Sequence, residues 1–188
     1  MNAFPNSRLE ALPTLRKIIA DYELNARRSL GQHFLLDLNL TRRIANAATH
    51  LTEGTVIEVG PGPGGLTRSL LSAGASKLVA IERDERCIKA LRSLKEASDN
   101  RLVLLHEDAL HFNYAESIDG PISLVANLPY NIATPLLINW LRMGTRISEM
   151  ILMFQAEVAE RITASPGNKR FGRLSVISNW CAETQLLF

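Results

Sequence analysis

Asn127-Leu128-Pro129-Tyr130 follows the apolar run Leu124-Val125-Ala126. It sets a side-chain amide, a proline and a phenol ring at the carboxyl end of a predicted strand, where open α/β sheets bind ligands. An amide beside an aromatic face suits a flat, conjugated amine. The exocyclic amine of adenine is such a group, and it is a poor nucleophile because its lone pair is delocalised into the ring. Hydrogen bonds to the Asn127 side-chain oxygen and the Leu128 carbonyl would make that nitrogen more pyramidal and localise the pair. Pro129 would stiffen the turn and Tyr130 would stack on the base. No general base is needed at the start, because the proton on an alkylated nitrogen leaves readily, and in-line positioning supplies most of the acceleration. The competing structural reading is a turn with an aromatic plug.

A second motif supplies the other half of a transfer reaction. Val56-Ile57-Glu58-Val59 runs into Gly60-Pro61-Gly62-Pro63-Gly64-Gly65, a strand entering a glycine-rich turn. Gly60, Gly62 and Gly65 satisfy G-x-G-x-x-G, a pattern shared with nicotinamide and flavin enzymes. In those enzymes the next helix binds pyrophosphate at its N-terminus. Here Pro61 and Pro63 remove two N–H donors, which suits a nucleoside cofactor without phosphate, such as S-adenosyl-L-methionine. Glu58 has two readings of equal weight: it reaches the amino-acid part of that cofactor, or it bonds to loop amides. Glu82 ends the next predicted strand, about twenty residues on, where a carboxylate accepts from ribose hydroxyls. Asp108, just past a third strand, is placed to accept from an adenine amino group. The four histidines have no ligand spacing and read as packing or surface residues, so no metal is expected.

The elements that must position these residues alternate regularly. Strands are predicted over 55–59, 77–82, 101–106, 122–126 and 149–154. Helices are predicted over 66–73, 84–95 with an Asp84 cap, 134–143 with Pro135 in its first turn, 157–164 and 173–181. Before them, Leu9, Leu12, Leu15, Ile18, Ile19 and Tyr22 predict one N-terminal helix, and Ile44, Ala47, Ala48 and Leu51 another. The last few residues read as the start of a strand. The order implies an α/β fold with a mostly parallel sheet and helices on both faces.

Composition excludes little beyond this. Lys+Arg 21 against Asp+Glu 19 leaves a net charge of +2, so bulk charge does not advertise nucleic acid. Distribution says more: no acidic residue lies between Arg161 and Arg173, a stretch that includes Lys169 and Arg170, and Arg27 and Arg28 are the only charges from Leu24 to Leu36. These five cations (Arg27, Arg28, Lys169, Arg170 and Arg173) are candidate RNA phosphate contacts beside Arg161. Cys87 falls on an apolar helix stripe and reads as a reduced packing residue. No apolar run is long enough to span a membrane and no targeting segment is evident, so a cytoplasmic monomer is expected.

In order along the chain, Arg28-Ser29-Leu30-Gly31-Gln32-His33-Phe34-Leu35, Glu58-Val59-Gly60-Pro61-Gly62, Ile81-Glu82, Glu107-Asp108-Ala109, Asn127-Leu128-Pro129-Tyr130-Asn131-Ile132, Phe154-Gln155-Ala156-Glu157-Val158 and Phe171-Gly172-Arg173-Leu174-Ser175 resemble the motifs of the KsgA family of small-subunit ribosomal RNA adenine dimethyltransferases. The resemblance implies a Rossmann-like class I methyltransferase fold. Residues 1–36 would form an N-terminal helix and cofactor lid, and 37–188 the catalytic domain. It also implies S-adenosylmethionine contacts at His33, Leu35, Gly60, Gly62, Glu82, Asp108 and Asn127. The implied reaction is transfer of two methyls to each of two adjacent adenines near the 3′ end of small-subunit rRNA in immature subunits. At position 33 the family usually has Asn. The family also continues past the matching region with a Phe-x-Pro-x-Pro-Lys-Val segment and a small helical domain. This chain is therefore expected to be the catalytic part cut short, binding cofactor better than it turns over. Alternatives are an Erm-like methyltransferase of large-subunit rRNA, a nicotinamide oxidoreductase, and a non-catalytic assembly factor with a relic pocket.

Overall fold

Three short runs rich in Val, Ile and Leu are buried on both faces, as the inner strands of a parallel sheet require, and two flanking runs are partly exposed at the sheet edges. The computed structural model describes residues 7–25 and 31–188. In it, β1 (Thr55–Val59), β2 (Leu78–Glu82), β3 (Leu102–His106), β4 (Ile122–Asn127) and β5 (Ile147–Met153) form one sheet in the order β3-β2-β1-β4-β5. Every neighbouring pair is parallel. The strand order reverses between β1 and β4, and a crevice opens at the carboxyl ends of those strands.

Alternation along the strands divides the core in two. Val56, Leu78 and Ala80 join Leu66, Leu70, Leu71, Leu91 and Leu94 on one face. Those leucines come from α4 (Gly65–Ser72), from α6 (Arg92–Ala97) and from Leu91 just before it, and α3 (Leu38–Ala47) packs on α4. Ile57, Val59, Val79 and Ile81 join Tyr114, Leu136 and Trp140 on the other face. These last residues belong to α7 (Tyr114–Ser117) and α8 (Tyr130–Leu141). Outside both, Ile18 and Leu24 pack on Cys87 and Ala90, so the N-terminal segment lies against α5 (Glu85–Ala90) and Cys87 is a buried packing residue.

Several expected boundaries change. The single N-terminal helix is two: α1 (Ser7–Glu10) and α2 (Leu15–Asp21). Pro13 cannot donate inside a helix, and Thr14 restarts the chain as a cap, accepting from Lys17 N at 3.3 Å. The helix expected over 84–95 is α5 followed by α6, with Leu91 between them; Asp84 caps α5 as expected. The helix expected over 134–143 is α8, which begins at Tyr130, not Thr134, so Pro135 stands inside it rather than in its first turn. Pro129, with φ −58° and ψ 125°, serves as its cap. Asn113 caps α7, which periodicity missed because four residues carry no period. After α9 (Ala156–Ile162) and α10 (Arg173–Cys181), residues 182–188 form no strand. Among the described residues no helix is long and apolar enough to cross a membrane.

Leu71 is fully enclosed between α4 and the sheet. Leu71→Ala is expected to lower the unfolding free energy by about 2–5 kcal/mol, read from the urea midpoint; a loss under about 1 kcal/mol would mean the core collapses around the gap.

Candidate functional site

The turn after β1 is built so that its amides are consumed internally. Gly60 N donates to Ile81 O at 2.9 Å and Gly64 N to Pro61 O at 3.0 Å. Gly62 N donates to Glu82 Oε2 at 3.2 Å, and Pro61 and Pro63 have no N–H. Residues 60–64 therefore offer no free backbone donor. Gly60, Gly62 and Gly64 have φ of +70°, +55° and +91°, a region that favours glycine. At Gly62 an added Cβ would also meet the Phe34 ring at 2.8 Å, so an aromatic side chain from the segment before α3 lies directly on the turn.

Glu82 joins this turn to the next. Its other oxygen accepts from Asp84 N at 2.8 Å. Burial pushes its carboxyl up, and amides of Asp84, Gly62 and Arg83 pull it back. Asp84 in turn binds Arg86 at 2.7 Å and Gln32 Nε2 at 3.2 Å. The guanidinium holds the Asp84 carboxyl down at about 2. Arg86 also donates to the carbonyls of Glu23 and Asn25. One acid–base pair thus fastens the chain on both sides of residues 26–30.

The second motif meets the first across the switch point. Pro129 packs 3.4 Å from where a Gly60 Cβ would stand. Asn127 Nδ2 donates to His33 O at 2.8 Å, which commits the nitrogen and leaves Oδ1 as the acceptor for an incoming donor. The Tyr130 ring lies 4.9 Å from the His33 ring and is 41% exposed. At the far side, Asp108 pairs with Arg83 at 3.3 Å and with His111 at 3.5 Å, while its Oδ1 accepts from Leu110 N.

Of the expected cofactor residues, His33, Gly60, Gly62, Glu82, Asp108 and Asn127 line one cleft, together with Leu128 and Pro129. Two do not. Leu35 turns its side chain into the core, and its carbonyl sits against Gly65; Phe34 takes the cleft position instead. Glu58 is enclosed beneath the turn at 1% exposure, and its Oε2 has no hydrogen-bond partner. Its carboxyl does not line the cleft. Burial, with Glu82 nearby, pushes its carboxyl up to about 8, and the adjacent Thr67 hydroxyl offsets this only in part. Tyr130 flanks the cleft rather than lining it.

The basic residues are elsewhere. Arg27 and Arg28 lie outside the described residues. Arg170 and Arg173 border a separate small cleft with Arg161 and Thr134. The acid-free stretch is not acid-free in space: Arg161 pairs with Glu157, and Arg170 with Glu160, both from α9. Sequence reading missed Gln32, Phe34, Arg83 and Arg86, whose roles depend on long-range contacts. Among the described residues no group of His, Cys, Asp or Glu could hold a metal.

A family described as ribosomal RNA adenine dimethylase matches residues 23–188. "Ribosomal RNA small subunit methyltransferase A" of Rhodospirillum rubrum is 53% identical over 179 residues, covering 95% of this chain and 62% of that protein. Its namesake in Paramagnetospirillum magneticum is 54% identical, covering 94% and 63%. A crystal structure of a dimethyladenosine transferase from Plasmodium falciparum aligns with TM-score 0.66 at 30% identity, over 77% of this chain and 51% of that one. The 23S rRNA methyltransferase ErmE aligns with TM-score 0.65 at 30% identity, over 77% and 56%. The chain spans 62–66% of the length of the curated relatives it matches.

Glu58 supplies a test of the site's electrostatics. Its folded value of about 8 lies above the ordinary 4.5, so between those values the folded form binds more protons than the unfolded. Stability should therefore fall as pH rises from about 4.5 to about 8 and level off beyond. Glu58→Gln is expected to flatten that decline in urea midpoints taken at pH 5, 7 and 9. An unaltered decline would mean that Glu58 is ionised in the fold.

Proposed function

We propose a function from a family premise: the chain belongs to the ribosomal RNA adenine dimethylase family. The protein transfers methyl groups from S-adenosyl-L-methionine to N6 of two adjacent adenines near the 3′ end of small-subunit rRNA, acting on immature subunits in the cytoplasm. The observation that carries the cofactor half is the turn over residues 60–64. Every N–H there is absent or already bonded, so a dinucleotide pyrophosphate would find backbone donors only in the first turn of α4, and the nicotinamide reading is weakened. A sulfonium nucleoside needs none.

The donor set fits that ligand. The Glu82 carboxylate accepts from the amides of Gly62 and Asp84, with the Arg83 amide also acting on it, and its remaining lone-pair capacity would accept from ribose hydroxyls. Asp108, across the cleft, would accept from the adenine amino group. Gly60, with Pro129 beside it, would let the ligand approach the backbone, and the Phe34 ring packed on Gly62 would form the adjoining wall. His33, in contact with both Asn127 and Tyr130, would sit at the amino-acid end. Bound there, S-adenosylmethionine supplies an electrophilic methyl. Residues 1–36 would act as the closing segment, with Arg86 and Asp84 anchoring it.

On the acceptor side, Asn127 Oδ1 and the Leu128 carbonyl would take the two amine hydrogens of a target adenine. Tyr130 would stack on its ring, and Pro129 holds the three in register against Gly60. The base must leave its stack to enter, so the natural target is unpaired or extruded. Arg27, Arg28, Lys169, Arg170 and Arg173 would hold RNA phosphates. Among the described residues Lys169 and Arg173 form no ion pair, so these two should contribute more than Arg170, which must first exchange Glu160. A large-subunit target has the likeness to ErmE behind it. Curated relatives at 50–54% identity that bear the small-subunit name favour the small subunit.

S-adenosylhomocysteine at saturating concentration is expected to raise the melting temperature, and NAD to leave it unchanged. Glu82→Ala should weaken the product's binding by about 1.5–3 kcal/mol in calorimetry. A shift with NAD alone would sink the methyltransferase reading. Asn127→Ala is expected to slow methyl transfer roughly 10²–10³-fold, followed as labelled methyl entering immature small subunits, with the urea midpoint little changed. Wild-type rates in that variant would remove Asn127 from the chemistry.

A further inference from the structure

The outward face of α10 carries a surface that the cleft does not use. Arg173, Val176, Ile177 and Trp180 are separated by steps of three, four and seven residues, which return a helix to the same side. The stripe is open: Trp180 is 86% exposed, Val176 53% and Ile177 37%, while Ser175 and Ser178 on the opposite side are buried. An indole left this bare contributes nothing to packing, although its ring is among the largest apolar groups available. At the N-terminal end of the stripe, Arg173 reaches the small cleft it shares with Arg161, Arg170 and Thr134. Thr134 stands one helical turn after Tyr130 on α8, so that cleft begins one turn along α8 from the residue assigned to the target base.

We propose that this stripe is a subsite for single-stranded RNA, in which Trp180 stacks on a base and Arg173 holds a neighbouring phosphate. The proposal rests on the proposed function, that the protein acts on RNA. Arg173 and Trp180 are seven residues apart, about 10 Å along the helix axis at 1.5 Å per residue. Cations tracking the backbone beside an aromatic ring are how single strands are gripped without base readout, since every base has a π-face. A protein partner is the weaker fit. Cores of protein interfaces are depleted of charge, whereas this narrow apolar stripe begins at Arg173, which forms no ion pair among the described residues, beside the Arg161–Glu157 and Arg170–Glu160 pairs. The subsite would extend the hold on RNA from the extruded adenine outward across α8 and α10.

The test is a titration of this protein with a short adenine-rich single-stranded oligoribonucleotide, followed by tryptophan fluorescence. The chain has two tryptophans, and Trp140 is 1% exposed against 86% for Trp180, so quenching by the RNA reports Trp180. Saturable quenching is expected, weakening with salt. Trp180→Ala should raise Kd about tenfold when binding is read by oligonucleotide anisotropy. Trp180→Phe should recover most of the affinity, and Arg173→Ala should reduce the salt slope by about one. All three variants should keep the S-adenosylhomocysteine melting shift. Unchanged RNA affinity in Trp180→Ala would overturn the subsite and leave the methyltransferase reading standing. So would concentration-dependent self-association in sedimentation that Trp180→Ala abolishes, since the stripe would then be a protein contact. No RNA binding by the wild type at low salt would also overturn it, and only a missing S-adenosylhomocysteine shift would take the methyltransferase reading with it.

Discussion

Two backbone amides converge on one buried carboxylate. Gly62 N and Asp84 N reach Glu82 at 3.2 and 2.8 Å, tying the turn after β1 to the turn after β2. An ionised carboxylate enclosed by protein is costly unless hydrogen bonds replace its water, so the two turns must hold their geometry for the acid to stay buried. The next residues along the chain inherit that constraint. Asp84, set in place by Glu82, caps α5, binds Arg86 and takes Gln32. Arg86 then fixes the carbonyls of Glu23 and Asn25. Glu23, Asn25 and Gln32 are therefore coupled to the floor of the cleft through the side chains of Glu82, Asp84 and Arg86.

Glu58 is the counterpart that makes this arrangement possible. It lies close enough to Glu82 for the two charges to disfavour each other, and it has no amides to compensate. Raised to about 8, it keeps its proton at neutral pH. The pair resolves the conflict by environment: the carboxyl with amides and an opening to the cleft is the one suited to carry charge, and the enclosed one stays neutral. A second ionised acid under the turn would repel the first and loosen the floor on which a ligand must lie.

On the acceptor side the decisive contact is Asn127 Nδ2 to His33 O. It orients the amide without using its oxygen and links the end of β4 to the segment before α3. The same residue 33 packs its ring on Tyr130, so donor side and acceptor side are set by one short stretch of chain. A proline at 129 packs against Gly60 at ordinary contact distance, and the left-handed φ of +70° is what requires glycine at 60.

Strands expected at 55–59, 77–82 and 122–126 stand at 55–59, 78–82 and 122–127, and the glycine-proline turn and the places of Glu82, Asp108 and Asn127 at strand ends were legible in the residues, because each depends on local periodicity, local backbone freedom or a position at a strand end. The break at Pro13 was missed, because the leucine spacing continues through it and the single expected helix followed that spacing. What the tertiary structure alone decided were matters of neighbourhood. Whether Glu58 faced the cleft or the core depends on which side of β1 the turn folds over. Phe34 rather than Leu35 meets the turn because the segment's approach to Gly62 sets which of two adjacent side chains points inward. Glu157 and Glu160 neutralise Arg161 and Arg170 because α9 brings them there, although the linear stretch 161–173 holds no acid. Spacing along a chain encodes which elements form and where their ends lie; which charges meet, and which carboxyl keeps its proton, is settled only once those elements have packed.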